Sequence, residues 1–386
     1  METTISIFKF YFYYLEGLFT GFPIVIRTVA LFVMLMTIII IYTLYKFVYA
    51  VYKIKQQKKH QNKIQNRYET KIREIISSTQ TLSEEEMRNE LNVPENTSFK
   101  EWESRYITDL LLSIKTEKND QGINEENYSG IIKIFRLIIF WDNHLRKKNP
   151  NKNKRALRRL ISINDNIPEG IFTHLVHANN SDLRKLAKCG HMQLSAHNPF
   201  KFLDDDFDQR FNSLDEVRIH AAFKTRQERL PLLIRWVYST KNEAYKSFLI
   251  EEIGLFKQTE CAPQLLELFK ETKSDRIKAS TAKTLGLLNH PGTIEVLSSE
   301  YELCSETVQL KIIDAIEQIG TQEALTFLEN ECYRTTSDEL FIKIVRSIYR
   351  IDLKREIFPK LKQHTHNSFQ QTVFEHVERI EISTAI

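Results

Sequence analysis

From Thr28 to Tyr45 the chain reads TVALFVMLMTIIIIYTLY, eighteen consecutive residues without a charge. At 1.5 Å rise per residue, a helix of that length covers about 27 Å, close to the hydrocarbon thickness of a bilayer. All of its faces are apolar, which the core helix of a soluble domain rarely shows. Arg27 and Lys46 bracket the run and can extend toward head groups, and Tyr42, Tyr45, Tyr49 and Tyr52 stand where an aromatic belt meets the interface. A removable signal peptide would carry its basic region before a shorter apolar stretch, whereas here the positive charge follows. The expectation is a single transmembrane helix within residues 24–52.

Immediately after the span come Lys46, Lys53, Lys55, Lys58, Lys59, Lys63, Arg67, Lys71 and Arg73, against only Glu69 and Glu74. Positive charge is retained on the cytoplasmic side. The pattern predicts a single-pass protein of the inner or plasma membrane with its carboxyl-terminal domain in the cytoplasm. Lys53, Lys55, Lys58, Lys59, Lys63 and Arg67 form a membrane-proximal basic set suited to an anionic leaflet. Residues 1–23 are aromatic but carry Lys9 and Glu16, and read as an interfacial or partly inserted segment, or as the first arm of a hairpin turning at Gly21, Phe22 and Pro23. Residues 53–80 lack Gly and Pro and predict a basic helical stalk with Ile54, Ile64, Tyr68, Ile72, Ile75 and Ile76 partly on one face.

The remaining chain is helical by composition. Ten Gly and nine Pro in 386 residues, with abundant Leu, Ile, Lys and Glu, disfavour turn-rich β sandwiches and Gly-rich nucleotide folds. Residues 81–167 predict a helical linker or capping region. It opens with Ser83 as N-cap before Glu84, Glu85 and Glu86, and it includes one apolar helix over 131–141 and a basic run of eight Lys/Arg over 146–159.

From about residue 168 onward, helical segments alternate with short breaks at a period near 32. An apolar residue followed by a base opens every second helix: Leu183-Arg184, Val217-Arg218, Tyr245-Lys246, Ile277-Lys278, Leu310-Lys311 and Ile342-Lys343. A polar or acidic group precedes each, at Asp182, Asp215, Asn242, Asp275, Ser305 and Asp338. Four residues after the base a small side chain often follows, as at Ala222, Ala282, Ala315 and Ser347, and lets neighbouring helices approach. Gly254, Gly286 and Gly320 are expected to end the helices of three units. A helix pair of this size cannot bury its own apolar face, so such units stack.

The segments SDRIKASTAKTLGLL (274–288) and LDEVRIHAAF (214–223) resemble HEAT repeats of the short bacterial kind. The resemblance covers roughly residues 168–382 of a repeat domain expected over 168–386, and implies a right-handed α-solenoid of about six helix pairs. It also implies a ladder in which the turn carboxylate meets the base of the second helix. Asp215 with Arg218, Asp275 with Lys278 and Asp338 with Lys343 occupy those places, and Asp182, Arg184, Lys246 and Lys311 extend the columns. The primary role expected of the ladder is to hold turns and neighbouring repeats together.

No GxGxxG, P-loop, GxSxG, HExxH or EF-hand loop occurs, and Cys189, Cys261, Cys304 and Cys332 have no metal-finger spacing and suit reduced thiols. No catalytic, cofactor or metal residues are assigned. His174, His177, Cys189, His191 and His197, followed by Asp204, Asp205, Asp206 and Asp208, are the one region where a metal site or an enzyme centre is conceivable. The basic segment 146–159 could track phosphates of nucleic acid or lie against acidic lipid head groups; it lacks interleaved aromatic residues, and nucleic acid is the less favoured of the two. The reading is a membrane-anchored, non-enzymatic scaffold that binds a partner protein on its solenoid. By analogy with similar bacterial proteins, it would be an accessory subunit of envelope machinery such as polysaccharide synthesis or export. One sequence does not fix its oligomeric state.

Overall fold

The computed structural model describes every residue except 1, 96, 119–121, 148, 164–166, 169, 196, 209, 227, 229, 366 and 385–386, with backbone alone for 2–8, 12, 15, 18 and 381–384. Among the described residues the fold is all-helical and contains no strand. It divides into two compact units, residues 1–140 and 141–386.

The first unit begins with α1 (Glu2–Gly21) and α2 (Ile24–Ser77), followed by α3 (Glu84–Leu91), α4 (Glu101–Glu117) and α5 (Glu125–Ile134). The apolar run and the stalk are one unbroken helix of 54 residues, α2. Its apolar window is long enough to cross a membrane, and none of it is buried, so it is no core helix of this fold. Further along, α2 changes character: Ile64, Tyr68, Ile72, Ile75 and Ile76 recur at three- and four-residue spacing and are buried against α3, α4 and α5. The stalk is thus free only near its start, and its second half is the spine of a small helical bundle. Asn127 fixes where that spine ends. It is fully buried, donates to the carbonyls of Ile75 and Gln80 and accepts from Leu82 N–H, each at 2.9 Å. Ser83 caps α3 in a reciprocal capping box with Glu86.

The apolar stretch 131–141 is not one helix. Arg136 adopts φ 51°, and the chain breaks there before α6 (Leu137–Leu145). The left-handed residue satisfies helix-end carbonyls: Phe135 N–H bonds Ile131 O and Arg136 N–H bonds Lys133 O.

In the second unit the helices are α7 (Pro150–Ile163), α8 (Gly170–Thr173), α9 (Ser181–Leu194), α10 (Ser213–Thr225), α11 (Ile234–Ser239), α12 (Glu243–Leu255), α13 (Ala262–Glu271), α14 (Asp275–Leu288), α15 (Thr293–Glu300), α16 (Glu306–Ile319), α17 (Gln322–Arg334), α18 (Asp338–Ile351), α19 (Ile357–His364) and α20 (Ser368–Thr384). The longer helices α12, α14, α16 and α18 pack one upon the next, with α13, α15 and α17 alongside in the same sequence. One continuous core runs through them, from Cys189 and Met192 to Phe374 and Val377. Of the three glycines expected at helix ends, only Gly320 caps one, at φ +62°. Gly254 and Gly286 lie inside α12 and α14, and Asn289 at φ 47° closes α14 instead. Gly286 serves close approach: a Cβ there would stand 2.7 Å from Ala315 Cα on α16.

Candidate functional site

The basic and acidic columns lie along α9, α10, α12, α14, α16 and α18, and they pair between helices more than within turns. Asp215 is fully buried and joins two functions. It accepts from Asn212 N–H at 3.1 Å to close the capping box of α10, and it is the ion-pair partner of buried Lys185 on α9. Arg218 approaches it to 3.6 Å, too long for a hydrogen bond. Lys185 also donates to Arg210 O. The preceding residue, Arg184, forms a two-pronged contact with buried Asp208, both bonds at 2.8 Å, and a third bond to Ala178 O. Asp182 is exposed and reaches Lys154 on α7 at 3.1 Å, whose hydrogen bond and charge hold its carboxyl below the usual range.

Farther along, the bases find partners about one repeat away. Lys278 turns to Glu300 at 3.5 Å and lies over the Phe269 ring at 5.3 Å, while Asp275 stays exposed. Lys343 reaches back to α16, to Asp314 at 2.5 Å and Glu317 at 3.3 Å, while Asp338 is exposed at the start of α18. Lys311 bonds Asp314 on its own helix at 3.1 Å, and Lys246 is half-buried on α12 outside these links. The two local pairs Asp275–Lys278 and Asp338–Lys343 are therefore replaced by pairs across repeats. The reason is geometric: a base one turn into a helix lies against its neighbours, and packing brings Glu300 of α15 to Lys278 and Asp314 and Glu317 of α16 to Lys343.

Sequence reasoning missed the partners that complete the row. Glu317 accepts from Ser347 at 2.6 Å and Arg350 at 2.9 Å in addition to Lys343. Burial pushes its carboxyl up, but those three donors outweigh burial and hold it below its ordinary range; Lys343 and Lys311 do the same for Asp314. Glu251 on α12 accepts from Lys283 at 2.6 Å and Ser280 at 3.3 Å on α14. Glu252 is buried and meets His220 of α10 at 2.9 Å; burial raises its carboxyl and the imidazole only partly offsets that. A repeat-length offset between an acid and a later Lys, Ser or Arg was the available signal.

The histidine and aspartate region does not converge. Residues 174–177 form turns after α8, and His174, His177 and His197 are exposed while Cys189 and His191 are buried. Among the described residues, no group of three His, Cys, Asp or Glu side chains is placed to hold a metal ion. Asp204 and Asp208 serve as anchors: Asp204 accepts from Trp236 Nε1 at 2.8 Å and from Arg235 at 2.9 Å, and Asp208 is held by Arg184. Asp206 and Phe207, both at positive φ, make the tight bend between them. Burial drives the Cys189 thiol up to about 12, so it stays protonated.

Two basic surfaces stand apart from the row. Lys53, Lys55, Lys58 and Lys59 are exposed on α2, Lys63 lies 5.9 Å over the Trp102 ring and Arg67 5.0 Å over Tyr68. On α7, Ala156, Leu157, Leu160 and Ile163 are buried, while Lys154, Arg155, Arg158 and Arg159 line a shallow cavity of about 460 Å³ with Asn151 and Ser162. No protein-family model matches the chain, and no curated protein matches it. What fold and geometry define is a class: among the described residues, an all-helical protein with one candidate membrane-crossing helix and a row of cross-linked helices.

Proposed function

We propose that the chain is a single-pass membrane scaffold whose residues 168–386 form a right-handed HEAT-type α-solenoid of about six helix pairs and bind a partner protein on the cytoplasmic side. The carrying observation is the row α12, α14, α16 and α18, packed in succession and tied by Glu251, Asp314 and Glu317 to donors on the following helix. Ties of that kind hold a long surface in one shape without building a pocket, which suits binding rather than chemistry. The exposed apolar half of α2 supplies the anchor, and the basic residues after it supply the orientation and lipid contact. Held at a bilayer, the scaffold raises the local concentration of whatever it binds. By analogy alone, accessory subunits of bacterial envelope machinery, as in polysaccharide synthesis or export, are the setting it fits.

The test is site-specific photo-crosslinking in the full-length protein, with the photoreactive residue at Lys283, Lys311 or Arg350 on the row, or at Tyr238 or Tyr333 on α11 and α17. A discrete protein adduct from the first set and not the second supports the reading. Absence of protein adducts from both sets sinks it. The basic face of α7 favours a second reading, phosphate tracking on nucleic acid; steeply salt-dependent DNA binding lost in Arg155→Ala/Arg158→Ala would move that reading ahead.

A further inference from the structure

α1 is a regular helix of 20 residues, about 30 Å long, and its length alone would let it cross a bilayer beside α2. Its side chains are not distributed for that. Lys9, Tyr13, Glu16 and Thr20 follow one another at steps of four, three and four, so at 3.6 residues per turn they share an arc of about 60°. Phe10, Tyr14 and Tyr11 lie outside that arc and are 68%, 59% and 59% exposed. Over residues 7–21 this is a narrow polar stripe on an otherwise apolar and aromatic helix, the pattern of a helix lying in the membrane plane. Were α1 to span, Lys9 would lie about 4 Å and Glu16 about 7 Å from its midpoint, with the hydroxyls of Tyr11, Tyr13 and Tyr14 near the same depth. Lying flat, the stripe faces water and carries the Tyr13 hydroxyl with it.

The corner between α1 and α2 is built to hold such an arrangement. Only Phe22 and Pro23 separate the helices, and Arg27 of α2 folds back on the end of α1. Its Nε donates to Phe22 O at 2.6 Å and its Nη2 donates to Thr20 O. Thr20 Oγ1 bonds the carbonyls of Glu16 and Gly17 at 3.0 Å, drawing the hydroxyl onto its own helix. Carbonyls left open at the end of α1 thus take an arginine that stands at the rim of the apolar run, at head-group depth.

We propose that α1 is an in-plane helix seated in the head-group layer of the leaflet opposite the large helical body, with Lys9, Tyr13, Glu16 and Thr20 facing water. This rests on the proposed reading that α2 spans with residues 53–386 on the cytoplasmic side. The test uses the full-length protein in intact cells and in inverted vesicles, with half-buried Cys304 changed to Ser and the other three native thiols buried. Single cysteines replace Lys9, Tyr13, Glu16 or Thr20 on the stripe and Phe10, Tyr11 or Tyr14 off it, and a membrane-impermeant maleimide is added from one side at a time. Lys55→Cys reports the side of the body. The expected result is labelling of the four stripe positions from the side opposite Lys55→Cys, at least 10-fold faster than the three others. Labelling of Lys9→Cys and Thr20→Cys from opposite sides, or protection of all seven from both, overturns the proposal in favour of a second span. Equal labelling of all seven overturns it in favour of a helix outside the bilayer. If Lys55→Cys labels from the same side as a fast stripe, the spanning reading of α2 and the opposite-leaflet placement of α1 both fail, while the flat seating of α1 stands.

Discussion

Gly286→Ala should destabilise the second unit although it improves intrinsic helix propensity. A Cβ added there would stand 2.7 Å from Ala315 Cα, 2.9 Å from Ala315 Cβ and 3.1 Å from Ala315 O. Contacts below 3.4 Å are tight, and two of these three atoms are backbone, so α16 must retreat from α14 by about 0.7 Å or more, and no rotamer change relieves the clash. Overpacking of that kind costs about 3 kcal/mol, the upper end of its usual range. Replacing glycine inside a helix returns about 1 kcal/mol. The net loss is then about 2 kcal/mol, which for a unit of this size lowers the midpoint of thermal unfolding by roughly 4–8 °C. Circular dichroism on the detergent-solubilised protein reads that midpoint, and amide exchange locates the weakening at α14 and α16. Gly254→Ala is the control. Its nearest neighbour is the end of the Leu287 side chain at 3.0 Å, which can move, and Thr284 Cγ2 and Cα at 3.2 and 3.3 Å need give only about 0.1–0.2 Å, so the change should stay within about 1 kcal/mol of neutral. Adding Ala315→Gly to Gly286→Ala removes the 2.9 Å contact but not the 2.7 Å one, so it should restore only part of the loss. Should Gly286→Ala match the parent in stability, α14 and α16 do not approach as described.

Lys185→Met leaves Asp215 buried with the Asn212 N–H and no cation nearer than Arg218 at 3.6 Å, and should cost about 3–5 kcal/mol in urea unfolding; a loss below about 1 kcal/mol would show that the buried pair is not formed. Glu317→Gln should cost about 1–3 kcal/mol at pH 7, where the carboxylate holds Lys343, Ser347 and Arg350. Because its folded-state pKa is depressed, that contribution is present above the unfolded value of about 4.3 and fades as pH falls through the folded one. The gap in urea midpoint between parent and variant should therefore narrow as pH falls below about 4.3, and a gap that does not narrow refutes the assignment. In the native protein at pH 8, maleimide should label half-buried Cys304 well before Cys189 and Cys332, whose thiols burial pushes up to about 12; mass mapping of early adducts checks the order.

The sequence made the apolar run of α2 legible because eighteen uncharged residues leave few alternatives, and it marked the second helices because the apolar-base pairs recur. It misplaced their partners. Lys278 beside Asp275, and Lys343 near Asp338, invite local pairing, yet Glu300, Asp314 and Glu317 are brought close by packing that no local spacing encodes. Arg136 gave no sign of ending a helix, since a left-handed residue without glycine leaves no compositional trace. The same holds for the run Asp204–Asp208, where four like residues divide into anchors and exposed positions only once Arg184 and Trp236 are in place. Gly286 was visible as a glycine but read as an ending; its reason lies on α16.

The length of α2 carries a mechanical consequence. Its 54 residues run about 81 Å without a glycine, a proline or an internal break after Ile24, so the helix is a lever with no hinge. Were its apolar half set in a bilayer, the pivot would lie near Met36, about 60 Å along the axis from Ser77. A change of about 10° in tilt would swing that far end by roughly 11 Å, a distance comparable to the width of one helix. Bilayer thickness would then be converted into lateral displacement of the bundle that grips the lever between Ile64 and Ile76.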